Sequence, residues 1–327
     1  MEEKTNKKWR WGKNRWIVLA LIVLGIFGAR AFSPIQPHVQ LPAEPLTREI
    51  SIPILGNMAL TNTMVAMILA DIILIAMALG IRSYVKKANE SGSLIPKGFY
   101  NVFEMLYEAL WNMTEATAGS KWAATIFPYF LTIMLLVLVS NWMELIPGVD
   151  TIGLLHHSEH GYSTQTVLGG LTAIVKPEAE HGGYGIYPFV RVLSTDLNFT
   201  VALALISVVM TQVVGIRAQG MNYFQKFWNT KTFFSKPMFG LIDWVVGILE
   251  TVSEISKVLS FSFRLFGNIF AGSVMLFVLG SLVPILVQAG LYGFELFVGT
   301  IQAYVFGMLT MVFMAMATKG HGEHEEH

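Results

Sequence analysis

From Val258 to Thr318 the chain carries only two charged side chains, Arg264 and Glu295. So long an apolar stretch belongs in a bilayer, where every backbone polar group must be satisfied internally and helices are the form that achieves it. The two charges then stand out. Placing an arginine at a bilayer centre costs from roughly 2.5 to above 10 kcal/mol. Arginine also keeps its proton at physiological pH, so it acts as a fixed positive charge and not as a proton carrier. A fixed charge at membrane depth needs a protein interior or a watery path beside it.

The remaining composition agrees. Of 327 residues, 54% are hydrophobic and only 13% charged, and mean hydropathy is +0.55. These values indicate an integral membrane protein. The chain has no cysteine, which excludes disulfides and thiolate chemistry. A formal net charge of zero gives no electrostatic case for a nucleic-acid partner.

Charge placement gives topology. Residues 1–16 include Lys4, Lys7, Lys8, Arg10, Lys13 and Arg15, and an apolar run follows from Ile17 to Phe27. This reads as a signal peptide ending near Ala29-Arg30-Ala31 or as an uncleaved anchor helix, with the basic tail in the cytoplasm either way. The Pro-rich segment 33–56 is an external loop. Met58 to Ile81 forms the first span, with Arg82, Lys86 and Lys87 on its cytoplasmic side. Asp71, inside it, suits a hydrogen bond within the bundle as well as a pathway role. Residues 97–114 read as an amphipathic helix with Phe99, Val102, Phe103, Leu106, Leu110 and Met113 on one face. Its polar face is acidic, which favours docking on the bundle over anionic lipid.

Ala123 to Ile146 crosses outward. Residues 148–190 are too polar to span and read as a solvated external loop. His156, His157, Glu159, His160, Glu178, Glu180 and His181 are metal-ligand types, but they lack helical spacing. Leu197 to Ile216 returns inward, followed by Arg217, Lys226, Lys231 and Lys236. Phe239 to Leu282 and Gly290 to Thr318 are the last two helices, and residues 319–327 form a His- and Glu-containing cytoplasmic tail. Basic loops alternate with loops poor in Lys and Arg at each turn.

The last two helices are too long to stand upright. At 1.5 Å per residue the first reaches about 66 Å, whereas a bilayer core needs about 20 residues. A tilted or kinked hairpin is expected. Glu250, Glu254, Lys257, Phe261, Arg264 and Asn268 step by three or four residues and share one stripe. Gln288, Glu295 and Gln302 recur every seven residues on the final helix. Stripes of this kind serve inter-helix hydrogen bonding or line a water-filled path, and the presence of Arg264 and Glu295 favours the path.

Five ordered segments then resemble subunit a of F-type ATP synthases. Ser262-Phe263-Arg264-Leu265-Phe266-Gly267-Asn268 is similar to that family's arginine-containing signature. Glu250-Thr251-Val252-Ser253 resembles its E-x-x-S element. Asn141 to Pro147 resembles N-x-x-[D/E]-L-x-P, Asp196 to Thr200 resembles D-x-N-x-T, and Gln302 to Phe306 resembles Q-A-x-x-F. The resemblance covers residues 58–318 and leaves out residues 1–57 and the insertion at 148–190. Two positions depart from it. Many members carry a carboxylate or His nine residues after the arginine, where this chain has Ser273, and many carry His seven residues before the glutamine, where it has Glu295.

The resemblance implies an all-α integral membrane protein with five core membrane helices, an in-plane amphipathic helix, an N-terminal signal or anchor helix and a strongly tilted final hairpin. It implies a stator subunit that passes protons through two half-channels against a rotating ring of c subunits, with b-type peripheral stalk subunits beside it, in a bacterial-type plasma membrane. In that frame Arg264 separates the half-channels and Glu295 relays protons. Asn268, Gln302 and Glu144 serve the ring site and the external path, and Glu250 serves the cytoplasmic path. Ser253 and Asp196 are secondary candidates. No cofactor or metal is implied. The chain has no G-x-x-x-x-G-K-[ST] motif for ATP. The alternative is an ion-coupled secondary transporter, but the matching inverted halves typical of such folds are missing from the sequence.

Overall fold

The computed structural model describes residues 11–31, 43–52, 56–91, 98–146, 149–158, 161–168, 171–178, 183–227, 237–282 and 286–319. Helix α1 covers Trp11–Ala31, the region expected to be a signal or anchor helix. A short hairpin pairs β1 (Ile50–Ile52) with β2 (Gly56–Met58). Helices α2 (Asn62–Ser91) and α3 (Phe99–Ala118) follow. Then come α4 (Ser120–Met143), α5 (Leu197–Gln219), α6 (Pro237–Leu282) and α7 (Leu286–Thr318). Five helices (α2, α4, α5, α6 and α7) are long and apolar enough to cross a membrane. Helices α6 and α7 are 46 and 33 residues long, so both exceed an upright crossing, as their apolar runs predict.

The insertion at 148–190 carries a β-sheet, which the sequence reading of a solvated loop does not specify. Between α4 and α5 lie strands β3 (Gly153–Ser158), β4 (Tyr162–Leu168), β5 (Leu171–Glu178) and β6 (Gly183–Pro188). They form an antiparallel sheet in the order β3-β6-β4-β5. Glycines and polar residues mask the strand signal, yet Tyr, Thr, Val and Ile alternate through it. Gly153, Gly161 and Gly183 sit where the backbone of a neighbouring strand leaves no room for a Cβ. His156 stacks on Tyr187 at 3.7 Å and His157 tilts over Tyr184 at 4.3 Å, so these imidazoles pack on rings. Glu159, His160, Glu180, His181 and the tail beyond Lys319 lie outside the described residues.

The core runs along α4 and α7. Gly299, Ala303 and Gly307 put small residues every fourth position on α7. A Cβ on Gly307 would lie 2.9 Å from Met134 Cβ and 3.0 Å from the Phe130 ring. Without a hydrophobic force between helices in lipid, such close approach is what binds them. Phe130, Val137, Phe306, Met311 and Met314 fill this seam and are buried. Phe261, Leu265 and Ile269 bring α6 onto it, with Phe261 5.2 Å from the Phe306 ring. By contrast, α2 exposes Ile68, Ile72, Ile75 and Leu79, a face suited to lipid. Helix α3 docks on the bundle by burying Leu110 and Ala118 against α4, whereas Val102 and Leu106 of the expected apolar face are exposed.

Candidate functional site

The polar residues of the two stripes separate into three clusters. The first lies where α6 passes the turn after α5. Lys226 Nζ is 2.5 Å from Glu250 Oε1 and 3.0 Å from Glu254 Oε1, and Lys257 Nζ is 2.8 Å from the same Glu254 oxygen. Lys257 also sits 4.7 Å above the Phe313 ring of α7. Lys226 reads in the sequence only as a topology charge, and nothing there marks it as a partner of the stripe. Ser253, between the two glutamates, is exposed.

The second cluster is Arg264 with its neighbours. Phe261 and Leu265 are buried in the core, which leaves Arg264 half-buried and Phe263 exposed. The guanidinium donates a long bond to Ser260 Oγ at 3.5 Å, one turn back. Among the described residues no carboxylate forms an ion pair with it. Glu295 is therefore not its counter-ion. One turn further, Asn268 Nδ2 donates to Gln302 Oε1 at 2.9 Å, so residues from the two stripes meet across the α6–α7 hairpin.

The third cluster joins α4, α6 and α7. Glu295 is only 3% exposed, and neither of its carboxylate oxygens has a hydrogen-bond partner among the described residues. It lies directly against Gly272, where a Cβ would collide with the carboxylate. The next residue, Ser273, donates to Glu144 Oε1 at the end of α4. Two carboxylates thus reach consecutive residues of α6. Ser273 enters the sequence reading only as a departure from a motif, and its contact with Glu144 depends on how α4 and α6 cross.

Asn141 and Asp196 have structural partners. Asn141 Nδ2 donates to the Gly299 carbonyl at 3.1 Å, and Ser194 Oγ donates to Asn141 Oδ1 at 2.6 Å. Asp196 caps α5 by accepting from the Asn198 amide at 2.9 Å. Its other oxygen accepts from Thr63 Oγ1 at 3.0 Å. Asp196 therefore pins α5 to α2 and stands apart from the third cluster.

Five membrane-length helices, a buried carboxylate and a guanidinium with no carboxylate partner among the described residues define a multi-pass membrane protein of the ion-translocating class. The family model of the ATP synthase A chain matches residues 63–315, well over half of the sequence. The chain belongs to that family. It is a non-catalytic, proton-translocating stator subunit in the membrane sector of an F-type ATP synthase. An ATP synthase subunit a from Mycobacterium ulcerans (strain Agy99) is 29% identical over 81% of this chain and 89% of its own length. Another from Gloeobacter violaceus (strain ATCC 29082 / PCC 7421) is 31% identical over 70% of this chain and 75% of its own. A third, from Campylobacter jejuni subsp. jejuni serotype O:23/36 (strain 81-176), is 31% identical over 72% and 84%.

Proposed function

We propose that protons cross this subunit along two offset half-channels that meet a rotating c-subunit ring on either side of Arg264. The observation that carries this reading is the half-buried guanidinium, which has no carboxylate partner among the described residues. A permanent cation in that state attracts a deprotonated carboxylate brought to it by the ring and favours its charged form. It also repels a migrating proton and so blocks a direct leak. A ring carboxylate then passes Arg264 only after releasing its proton to one half-channel, and reloads from the other.

The external half-channel runs past Glu144, Ser273 and Glu295, with Gln302 and Asn268 leading toward the ring. A buried polar atom left unpaired costs about 1–3 kcal/mol. Among the described residues neither Glu295 oxygen is hydrogen-bonded, which supports a group available to exchange protons. Glu144 stands in from α4 for the carboxylate or His that Ser273 replaces. The cytoplasmic half-channel opens near Glu250, with Ser253 at its border; Asp196 ties α5 to α2. Moving one charge through the membrane releases about 2.3 kcal/mol per 100 mV, and several such steps per turn drive ATP synthesis elsewhere in the complex.

The membrane domain is residues 58–318, with 148–190 inserted outside. Residues 1–57 hold the signal or anchor helix and external segment, and residues 319–327 a cytoplasmic tail. The N-terminus before any cleavage and the C-terminus face the cytoplasm of a bacterial-type plasma membrane, and b-type stalk subunits hold the stator still.

Arg264→Ala tests the reading. In membrane vesicles it is expected to abolish ATP-driven acidification while the complex still assembles. Coupled pumping retained in that variant would overturn it.

A further inference from the structure

The last turns of α2 and the first half of α3 enclose a cleft of about 310 Å³ that lies away from all three clusters. Tyr100, Phe103, Glu104 and Tyr107 line it from α3, at the i, i+3, i+4, i+7 spacing of one helix face. Tyr84 lines it from α2, and the Tyr84 and Tyr100 rings stack with centroids 3.9 Å apart. Glu104 is the one charged group among the described lining residues. Aromatic faces carry negative potential and attract cations, quaternary ammonium groups above all. A carboxylate beside three tyrosines and a phenylalanine strengthens that preference.

The rim has the opposite sign. Val85 lies in the cleft wall. At about 100° per residue, Arg82 falls roughly 60° round α2 from Val85 and Lys86 roughly 100° round. Both stand on one flank of the cleft, with Lys87 further round. Lys86 is held only by an exposed contact with Glu90 at 4.0 Å, which is worth little. The cleft lies at the charged end of a membrane span, where headgroups sit.

We propose that this cleft binds the headgroup of a zwitterionic phospholipid: the ethanolamine or choline ammonium rests between Glu104 and the exposed Tyr107 ring, beside the Tyr84–Tyr100 stack, and the phosphate pairs with Arg82 and Lys86. A lysine from a partner protein fits less well. It would bring a cation alone and set it beside Arg82, Lys86 and Lys87. A phosphoglycerol headgroup supplies the anion but nothing for the aromatic faces.

Native mass spectrometry of the purified complex, titrated separately with dihexanoyl phosphatidylethanolamine and dihexanoyl phosphatidylglycerol, tests the proposal. The unmodified complex is expected to take up the ethanolamine lipid more tightly. Glu104→Gln, at an exposed position, should weaken that lipid about fivefold while leaving phosphatidylglycerol nearly unchanged. Arg82→Gln should weaken both lipids. Three outcomes overturn it: equal affinities in the unmodified complex, no effect of Glu104→Gln, or ethanolamine-lipid binding that emerges only after a neighbouring subunit is stripped away. ATP-driven proton pumping in the Glu104 variant is expected to be normal, so the outcome is read independently of the proton route.

Discussion

Side by side on α6, Gly272 and Ser273 do different work. Gly272 has no side chain because the Glu295 carboxylate occupies that space. Gly272→Ala must push the carboxylate away or part α6 from α7, so proton flux through reconstituted vesicles should fall by about tenfold or more. Glu295→Asp, shorter by one methylene, should recover part of that flux when added to Gly272→Ala, although alone it impairs transport. If the double variant conducts no better than Gly272→Ala, the contact does not limit the channel. Glu295→Gln keeps the shape and removes the titrating proton. It is expected to slow ATP-driven pumping without abolishing it, in contrast to Arg264→Ala. An unchanged rate would remove Glu295 from the path.

At the scale of elements, α6 is tied to the α5 turn by Lys226, Glu250, Glu254 and Lys257. Removing one member of a buried ion pair is costly because it strands the partner. Glu254→Leu strands Lys257, while Lys226 keeps Glu250. The expected loss is about 2 kcal/mol, reduced from the fully buried case because both lysines are partly exposed. It should appear as a lower midpoint in thermal unfolding of the complex. Adding Lys257→Met removes the stranded cation and should restore at least half the loss; a double variant less stable than the single would count against this coupling. The sequence period was enough to place Glu250, Glu254 and Lys257 on one face, because helical geometry fixes a stripe. It could not supply Lys226, which arrives from another element through the turn after α5. The same limit hid the Ser273–Glu144 contact. The sheet at 153–188 escaped for a different reason: its glycines admit close strand approach while erasing the composition by which strands are recognised.

The whole molecule is asymmetric across the membrane. The four-stranded sheet hangs from one end of α4 and α5, and the Lys226–Glu254 cluster lies at the other end of α5. In the topology proposed above, with Lys and Arg concentrated on the cytoplasmic side, the sheet lies outside. Because the chain contains no cysteine, single introduced thiols report on sidedness without background. Thr164 on β4 and Asn222 in the turn after α5 are both exposed, so Thr164→Cys and Asn222→Cys should fold normally. In sealed vesicles with the external face outward, a membrane-impermeant maleimide should label the Thr164 variant at once and the Asn222 variant only after permeabilisation. Inverting the vesicles should exchange the two results. Labelling of both thiols from one side would break the five-crossing topology, because α5 alone separates the two positions and an odd number of crossings must put them on opposite faces.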